Sequence, residues 1–374
     1  KPPMIYEPVR LGLVSDKQIM GYLEDRLLEI GSNNWAVDAK HSPGGKPIVA
    51  NDPHLDARIL PGPFYPCGLI TPEFRVVGVS PAGLPGMIVF RNAHVALGIT
   101  NAYGDTQDLY VETIDPQDPG HYLEGDQSIP FNVIEEILTI KDKKAPGGFK
   151  EHKIKIRLTK RGPVISGIFS NLKTDRVLSL RWSLVENMGI KMGFEDMMQA
   201  KSLTGVREAL KHVDFLMLNF TFADTEGNIG WQVSGHLPMR SKGDGTVPAE
   251  VTGSGDNWNG WIPCNEMPQL HNPERGWVGT CNHNTIPNDF PYYYSSHLAS
   301  SYRYSRLKQL LDSDGIKTVD DHWQFQRDTF NLMAQSIAPL MARALVAHED
   351  TRRLGEILSR CDCHDDPDKS APTI

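Results

Sequence analysis

Between residues 15 and 37 the apolar spacing switches from a helical period to a strand period. Ile19, Leu23, Leu27 and Ile30 recur on one face, and Ser15 with Gln18 forms a capping box, which predicts a helix over 15–30. Gly31-Ser32-Asn33-Asn34-Trp35-Ala36-Val37 follows at once. Asn34–Val37 and Pro47–Ala50 read as two short strands joined by the turn Ser42-Pro43-Gly44-Gly45. In one reading Gly31 is the C-cap glycine of the helix and Ser32 a loop residue. In the other, a backbone break before Ser32 leaves that serine as an N-terminus. A serine hydroxyl is a poor nucleophile without an adjacent base, and a free α-amine titrating near neutrality supplies one. Asn51-Asp52-Pro53-His54-Leu55 directly follows the second strand, so the hairpin brings its end back towards Ser32 and His54 within its reach.

Composition narrows the partners. The chain has 374 residues, 22% charged and 40% hydrophobic, with a net charge of −8, which fits a globular protein and argues against nucleic acid. No run approaches the ~18 apolar residues of a membrane helix, so no membrane span is expected. Lys1-Pro2-Pro3-Met4 begins no apolar signal core, so an export signal is expected only upstream. Five scattered cysteines do not outline a disulfide framework and leave the compartment undecided. Cys361-Asp362-Cys363-His364 lacks the second cysteine pair of a zinc site.

Further along, residues 55–85 are rich in Pro, Gly and aromatics and read as a long irregular segment. Leu55, Phe64 and Tyr65 there suit either the wall of a pocket for an apolar group or plain packing. Gly86–Phe90 and Val95–Thr100 are buried-strand patterns, and Asn101–Asp108 closes the second with a carboxylate loop. Asp105, the Gln107 carbonyl and Asp108 suit a hard cation such as Ca²⁺, although surface turns collect the same residues. Alternating strands fill 131–168, with Ile154, Ile156 and Leu158 on one face and Lys153, Lys155 and Arg157 on the other. A helical region over 194–212 precedes a hairpin of Phe215–Ala223 with Ile229–Ser234. Helices are predicted over 298–311 and 319–346, with Thr318 as an N-cap.

Gly31–Val37, Gly45–Leu55, Leu84-Pro85-Gly86, Gly98-Ile99-Thr100 with Asp105–Asp108, Ala223–Gly230, Thr280-Cys281-Asn282 and Tyr302–Leu307 together resemble the penicillin acylase (penicillin amidase) family of N-terminal-nucleophile hydrolases. Seven motifs stand in the family's order over nearly the whole chain from residue 31. The resemblance implies an α+β fold, an αββα sandwich, and a precursor (a zymogen) that cuts itself before the nucleophile into a small α chain and a large β chain. It assigns Ser32 as nucleophile, Gly31–Ser32 as the processing bond, and His54 as the residue beside the nucleophile. It assigns the Asn101 N–H and the Asn282 side chain as oxyanion donors, Arg303 as the arginine near both, and Asp105, Gln107 and Asp108 as part of a structural calcium site. No cofactor is implied for the chemistry.

The departures carry expectations too. Cys281-Asn282-His283-Asn284 stands where the family often has Ala-Asn-Asn, which makes Asn284 a fallback donor. The later calcium carboxylate falls near Ser295-Ser296, with Asp289 as a nearby substitute, and Leu97 stands where tryptophan is common. Only 31 residues precede Ser32, and Asp366–Ile374 resembles a mid-chain segment. The resemblance therefore implies an incomplete fragment, with residues 1–31 as α-chain end or spacer and 32–374 as the N-terminal part of the β chain. Its partners are then the missing α chain, the remainder of the β chain and a small N-acyl substrate. The implied activity is removal of an acyl group from a β-lactam antibiotic, an acyl-homoserine lactone or a related amide, in a periplasmic or secreted setting. The alternatives are an inactive fragment, a non-enzymatic binding module on the same fold, or a carbohydrate-binding module suggested by the Trp and Tyr content.

Overall fold

A computed structural model describes residues 31–55, 62–168, 176–189, 192–253 and 258–374. The helix predicted over 15–30 lies outside the described residues. Strands β1 (Gly31–Val37) and β2 (Ile48–His54) pair antiparallel in the register Ser32↔Pro53 and Trp35↔Ala50, and β1 also pairs with the strand Trp277–Thr280. This three-stranded sheet faces a seven-stranded one. Its core is β6 (Val95–Asn101) between β5 (Val89–Asn92) and the hairpin of Leu218–Asp224 with Ile229–Val233.

The period-2 alternation of β1 sorts its side chains between two cores. Ala36 joins Ile229, Trp231, Val233 and Val278 between the two sheets. Trp35 and Val37 point the other way and pack with Trp277, Cys281, Leu307 and Leu311 under the helix Tyr302–Asp312. On the far side of the large sheet, Leu97, Phe220 and Phe222 pack against Phe194, Met197, Val206 and Leu210 of the helices Phe194–Met198 and Leu203–Leu210. The layers therefore run helix, sheet, sheet, helix, the αββα sandwich.

Three local expectations change. Residues 64–81 form a hairpin of β3 (Phe64–Ile70) and β4 (Arg75–Pro81) rather than an irregular segment. Because β3 is the edge of the large sheet, Pro66 is tolerated in it. The continuous helix expected over 319–346 is two, Val319–Gln326 and Leu332–Val346. The capping groups compete with helix propagation there: Asp328 accepts from Phe330 N (2.7 Å) and Asn331 from Ala334 N (3.0 Å), starting a new helix. Thr318 caps the first of the two in a full capping box. Gly31 is the first residue of β1 and lies outside the left-handed region that a C-cap glycine occupies. Its value is space. A Cβ there would lie 2.7 Å from Arg303 Nη2 and 3.1 Å from Asn282 Oδ1.

Candidate active site around Ser32

Ser32 shares the inward face of β1 with Asn34 and Ala36 and is buried. Its hydroxyl donates to the Gly31 carbonyl at 2.6 Å, so the nucleophile candidate lies against the bond that precedes it. The Ser32 N–H donates to Asn282 Oδ1 at 2.6 Å. Asn282 follows the strand Trp277–Thr280 with φ +60°, a left-handed conformation that asparagine tolerates better than most residues. Its Nδ2 donates to the Asn101 carbonyl at 2.8 Å, which closes a chain from β1 through Asn282 to the end of β6.

Arg303, in the first turn of Tyr302–Asp312, fans out over the same atoms. Nη1 donates to Ser32 O (2.9 Å) and Asn33 Oδ1 (2.6 Å), and Nη2 to Asn282 Oδ1 (3.0 Å). The guanidinium thus holds the backbone on the C-terminal side of Ser32 and the amide on its N–H. Its charge reaches further. Burial first, then Arg303 and Arg275, depress His283 to about 4, so that imidazole stays neutral, stacked on Tyr304 at 3.7 Å with Nδ1 accepting from Cys281 N. Burial pushes the adjacent Cys281 thiol up to about 12, which keeps it inert.

The structure brings Gly31, Ser32, Asn101, Asn282 and Arg303 together but separates His54. His54 is the register partner of Gly31, and its ring bonds Asp52 at 2.9 Å and approaches Asn33 Nδ2 at 3.5 Å. Those contacts lie on the face opposite the Ser32 hydroxyl, so the expected approach of the His54 side chain to Ser32 is not made. The cause is parity: one residue of register reverses the face. Asn284, the fallback donor, is exposed and accepts from Ile286 N in its own turn. The apolar trio does not form one wall. Phe64 packs into the core beneath Phe194–Met198, whereas Tyr65 and Leu55 are exposed.

The carboxylate loop is arranged around an internal cation. Arg240 donates to Asp108 through Nε (2.9 and 3.0 Å) and Nη2 (2.8 Å), and to the Asp105 carbonyl at 3.0 Å. Trp258 Nε1 also donates to Asp108 Oδ2, at 2.5 Å. Both oxygens of buried Asp108 are therefore committed to donors. Asp105 is pushed up to about 6 by burial, opposed by Arg240 and reinforced by Asp108. Gln107 belongs to the strand Gln107–Glu112, paired with Trp182, and Asp289 is exposed. Among the described residues no group of three or more His, Cys, Asp or Glu could hold a metal. So arranged, these residues do not fit the six to eight oxygen ligands of calcium.

Sequence reasoning missed Asn33, Asn34, Asn51, Asn219 and Arg240. Two adjacent asparagines inside a strand are a signal, since strands are depleted in that residue. Asn51 spans the sheets, bonding Ile99 N and O at 2.9 Å each. Arg240 stands 132 residues from Asp108, and no local pattern links them.

Comparison with known proteins shows the family. A family model described as Penicillin amidase matches residues 6–374. An acyl-homoserine lactone acylase, QuiP, of Pseudomonas aeruginosa is 30% identical over 322 residues, 83% of this chain and 37% of the relative. A penicillin acylase 2 proenzyme of a Pseudomonas species is 29% identical over 80% of the chain and 38% of the relative. Penicillin G acylase of Escherichia coli is 26% identical over 88% of the chain and 39% of the relative. The chain thus spans about two fifths of the length of these relatives. A solved thermostable penicillin G acylase from Alcaligenes faecalis superposes with a TM-score of 0.73 at 21% identity, covering 90% of this chain and 60% of that one, which shows the shared fold. Among the described residues no helix is long and apolar enough to cross a membrane.

Proposed function

Since the chain belongs to the penicillin amidase family, we propose that its full-length protein is an amidohydrolase that removes an acyl group from an N-acyl amine through Ser32, exposed as an N-terminus by self-cleavage. The observation that carries this reading is the Ser32 hydroxyl 2.6 Å from the Gly31 carbonyl oxygen, with the Ser32 N–H on Asn282.

In maturation the Ser32 Oγ attacks the Gly31 carbonyl carbon. The C–N bond breaks, the hydroxyl proton passes to the departing nitrogen, and an ester joins Gly31 to Oγ. Water then splits the ester, leaving a Gly31 carboxylate and a Ser32 with free amine and hydroxyl. Until that happens the Ser32 nitrogen is an amide and no base exists, so the uncut chain is the inactive form.

In the mature enzyme the amine takes the hydroxyl proton as Oγ attacks the substrate's acyl carbon. The oxyanion falls between the Asn101 N–H and Asn282 Nδ2, and the proton passes to the leaving amine. Water, activated by the same amine, clears the acyl-enzyme. Arg303 lies within hydrogen-bond reach of Ser32 O and Asn282 Oδ1, so its charge disfavours the protonated amine and keeps it a base near neutrality. The substrate class follows the relatives: an acyl-homoserine lactone or a penicillin-type amide. Arg240 holds the loop after Asn101, and a periplasmic or secreted setting accompanies this family reading.

The test uses the full-length precursor. Ser32 should become a new N-terminus in the parent, and Ser32→Ala should leave the chain intact. The matured parent should release amine from a panel of acyl-homoserine lactones and penicillins. Cleavage of Ser32→Ala at the same bond would refute the mechanism.

A further inference from the structure

Beneath the site, five buried side chains from both sheets form a closed circuit of hydrogen bonds. Asn219 Nδ2 donates to the Asn101 carbonyl (3.2 Å) and to Thr100 Oγ1 (3.0 Å). Thr280 Oγ1 donates to Asn34 Oδ1 at 2.9 Å, so the 2.5 Å contact between the two threonine hydroxyls takes its proton from Thr100. Asn34 Nδ2 returns to the Asn219 carbonyl at 3.1 Å, and Trp231 Nε1 donates to Asn219 Oδ1 at 3.0 Å. Asn34, Thr100, Asn219 and Thr280 are each at most 2% exposed. Every proton direction is fixed by the next partner, so no amide can flip and no hydroxyl can turn without orphaning a buried group.

The circuit has one outlet to the site. The Asn101 carbonyl accepts from Asn219 and from Asn282 Nδ2 at 2.8 Å. We infer that Asn219 is a positioning residue for the oxyanion hole: it fixes the Asn101 carbonyl, and through that carbonyl the orientation of the Asn282 amide that meets the developing charge. A carbonyl oxygen can only accept, so it takes the N–H edge of Asn282 and leaves Oδ1 to Ser32 N and Arg303, and Asn219 sets where that carbonyl stands. Asn219 itself bonds neither Ser32 nor Arg303, so its influence travels through Asn101. This inference rests on the proposed amidohydrolase reading.

The experiment uses the full-length precursor with Asn219→Ala, Thr100→Val, Thr100→Ser and, as reference, Asn282→Ala. Active sites are counted by acylation stoichiometry, so kcat refers to correctly matured enzyme only. Asn219→Ala should lower kcat at least tenfold with KM within twofold of the parent, and Thr100→Val should follow in the same direction. Thr100→Ser, which keeps the hydroxyl, should restore the parent kcat. A merely structural circuit would lower Tm and the yield of matured enzyme while leaving kcat per active site unchanged, and that result overturns the inference. If Asn219→Ala does not mature, the Thr100→Val and Thr100→Ser pair decides: equal kcat values in the two refute it. Full activity in Asn282→Ala would instead refute the oxyanion assignment itself, so the two failures are distinguishable.

Discussion

Gly31→Ala tests whether the processing bond depends on Arg303. Gly31 has an ordinary extended backbone, so alanine adds no torsional strain, and only the new methyl matters. That methyl would lie 2.7 Å from Arg303 Nη2, closer than real methyl contacts come, and a tight 3.2 Å from its Cζ. The flexible end of the arginine must yield, and it carries bonds of 2.9, 2.6 and 3.0 Å to Ser32 O, Asn33 Oδ1 and Asn282 Oδ1. Losing one charge-assisted hydrogen bond costs about 1.5–3 kcal/mol. If that stabilisation is present at the transition state for self-cleavage, processing slows by about 10- to 150-fold. The assay is a time course of the purified full-length precursor, following the two products by gel and mass spectrometry. A double-mutant cycle with Arg303→Ala isolates the cause. The double variant should process at nearly the rate of Arg303→Ala alone, because the closest clash is then gone and only the 3.1 Å approach to Asn282 Oδ1 remains. Additive slowing, or a Gly31→Ala rate within about twofold of the parent, would refute the argument.

Asn282→Ala should lower kcat of the matured enzyme by about 10²–10³ with little change in KM, whereas Asn284→Ala should match the parent, as steady-state kinetics will show. Arg240→Gln should lower Tm, because Asp108 is left as a buried carboxylate without its partner, a loss of about 3–5 kcal/mol for a buried pair. Chelator treatment of the parent should leave its Tm unchanged, as scanning calorimetry will show. His283 is held at about 4 while the unfolded chain binds the same proton near 6.5, so unfolding takes up protons between those values and stability rises with pH across them. This contribution, about 3 kcal/mol, is present above pH 6.5 and lost as pH falls through 4. His283→Phe should remove it from the urea-measured stability slope while keeping the stack on Tyr304.

What was legible in the chain was what neighbours in sequence decide. Trp35 and Val37 against Ala36, the turn Asp224–Asn228 between apolar runs, and the Thr318 capping box all express local periods or local hydrogen bonds, and each is in the structure. The order of the seven motifs carried the family and with it the four layers. Side-chain direction at the strand ends was not legible. His54 is near Ser32 in the backbone, yet the pairing of Gly31 with His54 turns its ring towards Asp52 and Asn33. Nor was the occupant of the carboxylate loop, since Arg240 arrives from a separate strand on the far side of the sequence. A pattern of carboxylates shows where a positive charge is wanted, and the tertiary fold alone determines whether a metal or a guanidinium supplies it.

In the proposed mechanism Asn282 would connect maturation to catalysis, its two edges letting one orientation serve both. Before cleavage Oδ1 accepts from the Ser32 amide and from Arg303, while one Nδ2 proton goes to the Asn101 carbonyl. A flip would set Oδ1 against the Asn101 carbonyl and present N–H groups to a guanidinium, two like-polarity contacts in a site 1% exposed. The same contacts would favour this orientation after the proposed cut. The Ser32 nitrogen, then an amine, would still have an N–H for Oδ1, which would leave its lone pair available to the hydroxyl. The second Nδ2 proton has no acceptor among the described residues and would be the donor offered to the proposed oxyanion. The proposed self-cleavage would thus change the chemistry of one nitrogen atom and ask no rearrangement of the residues that surround it.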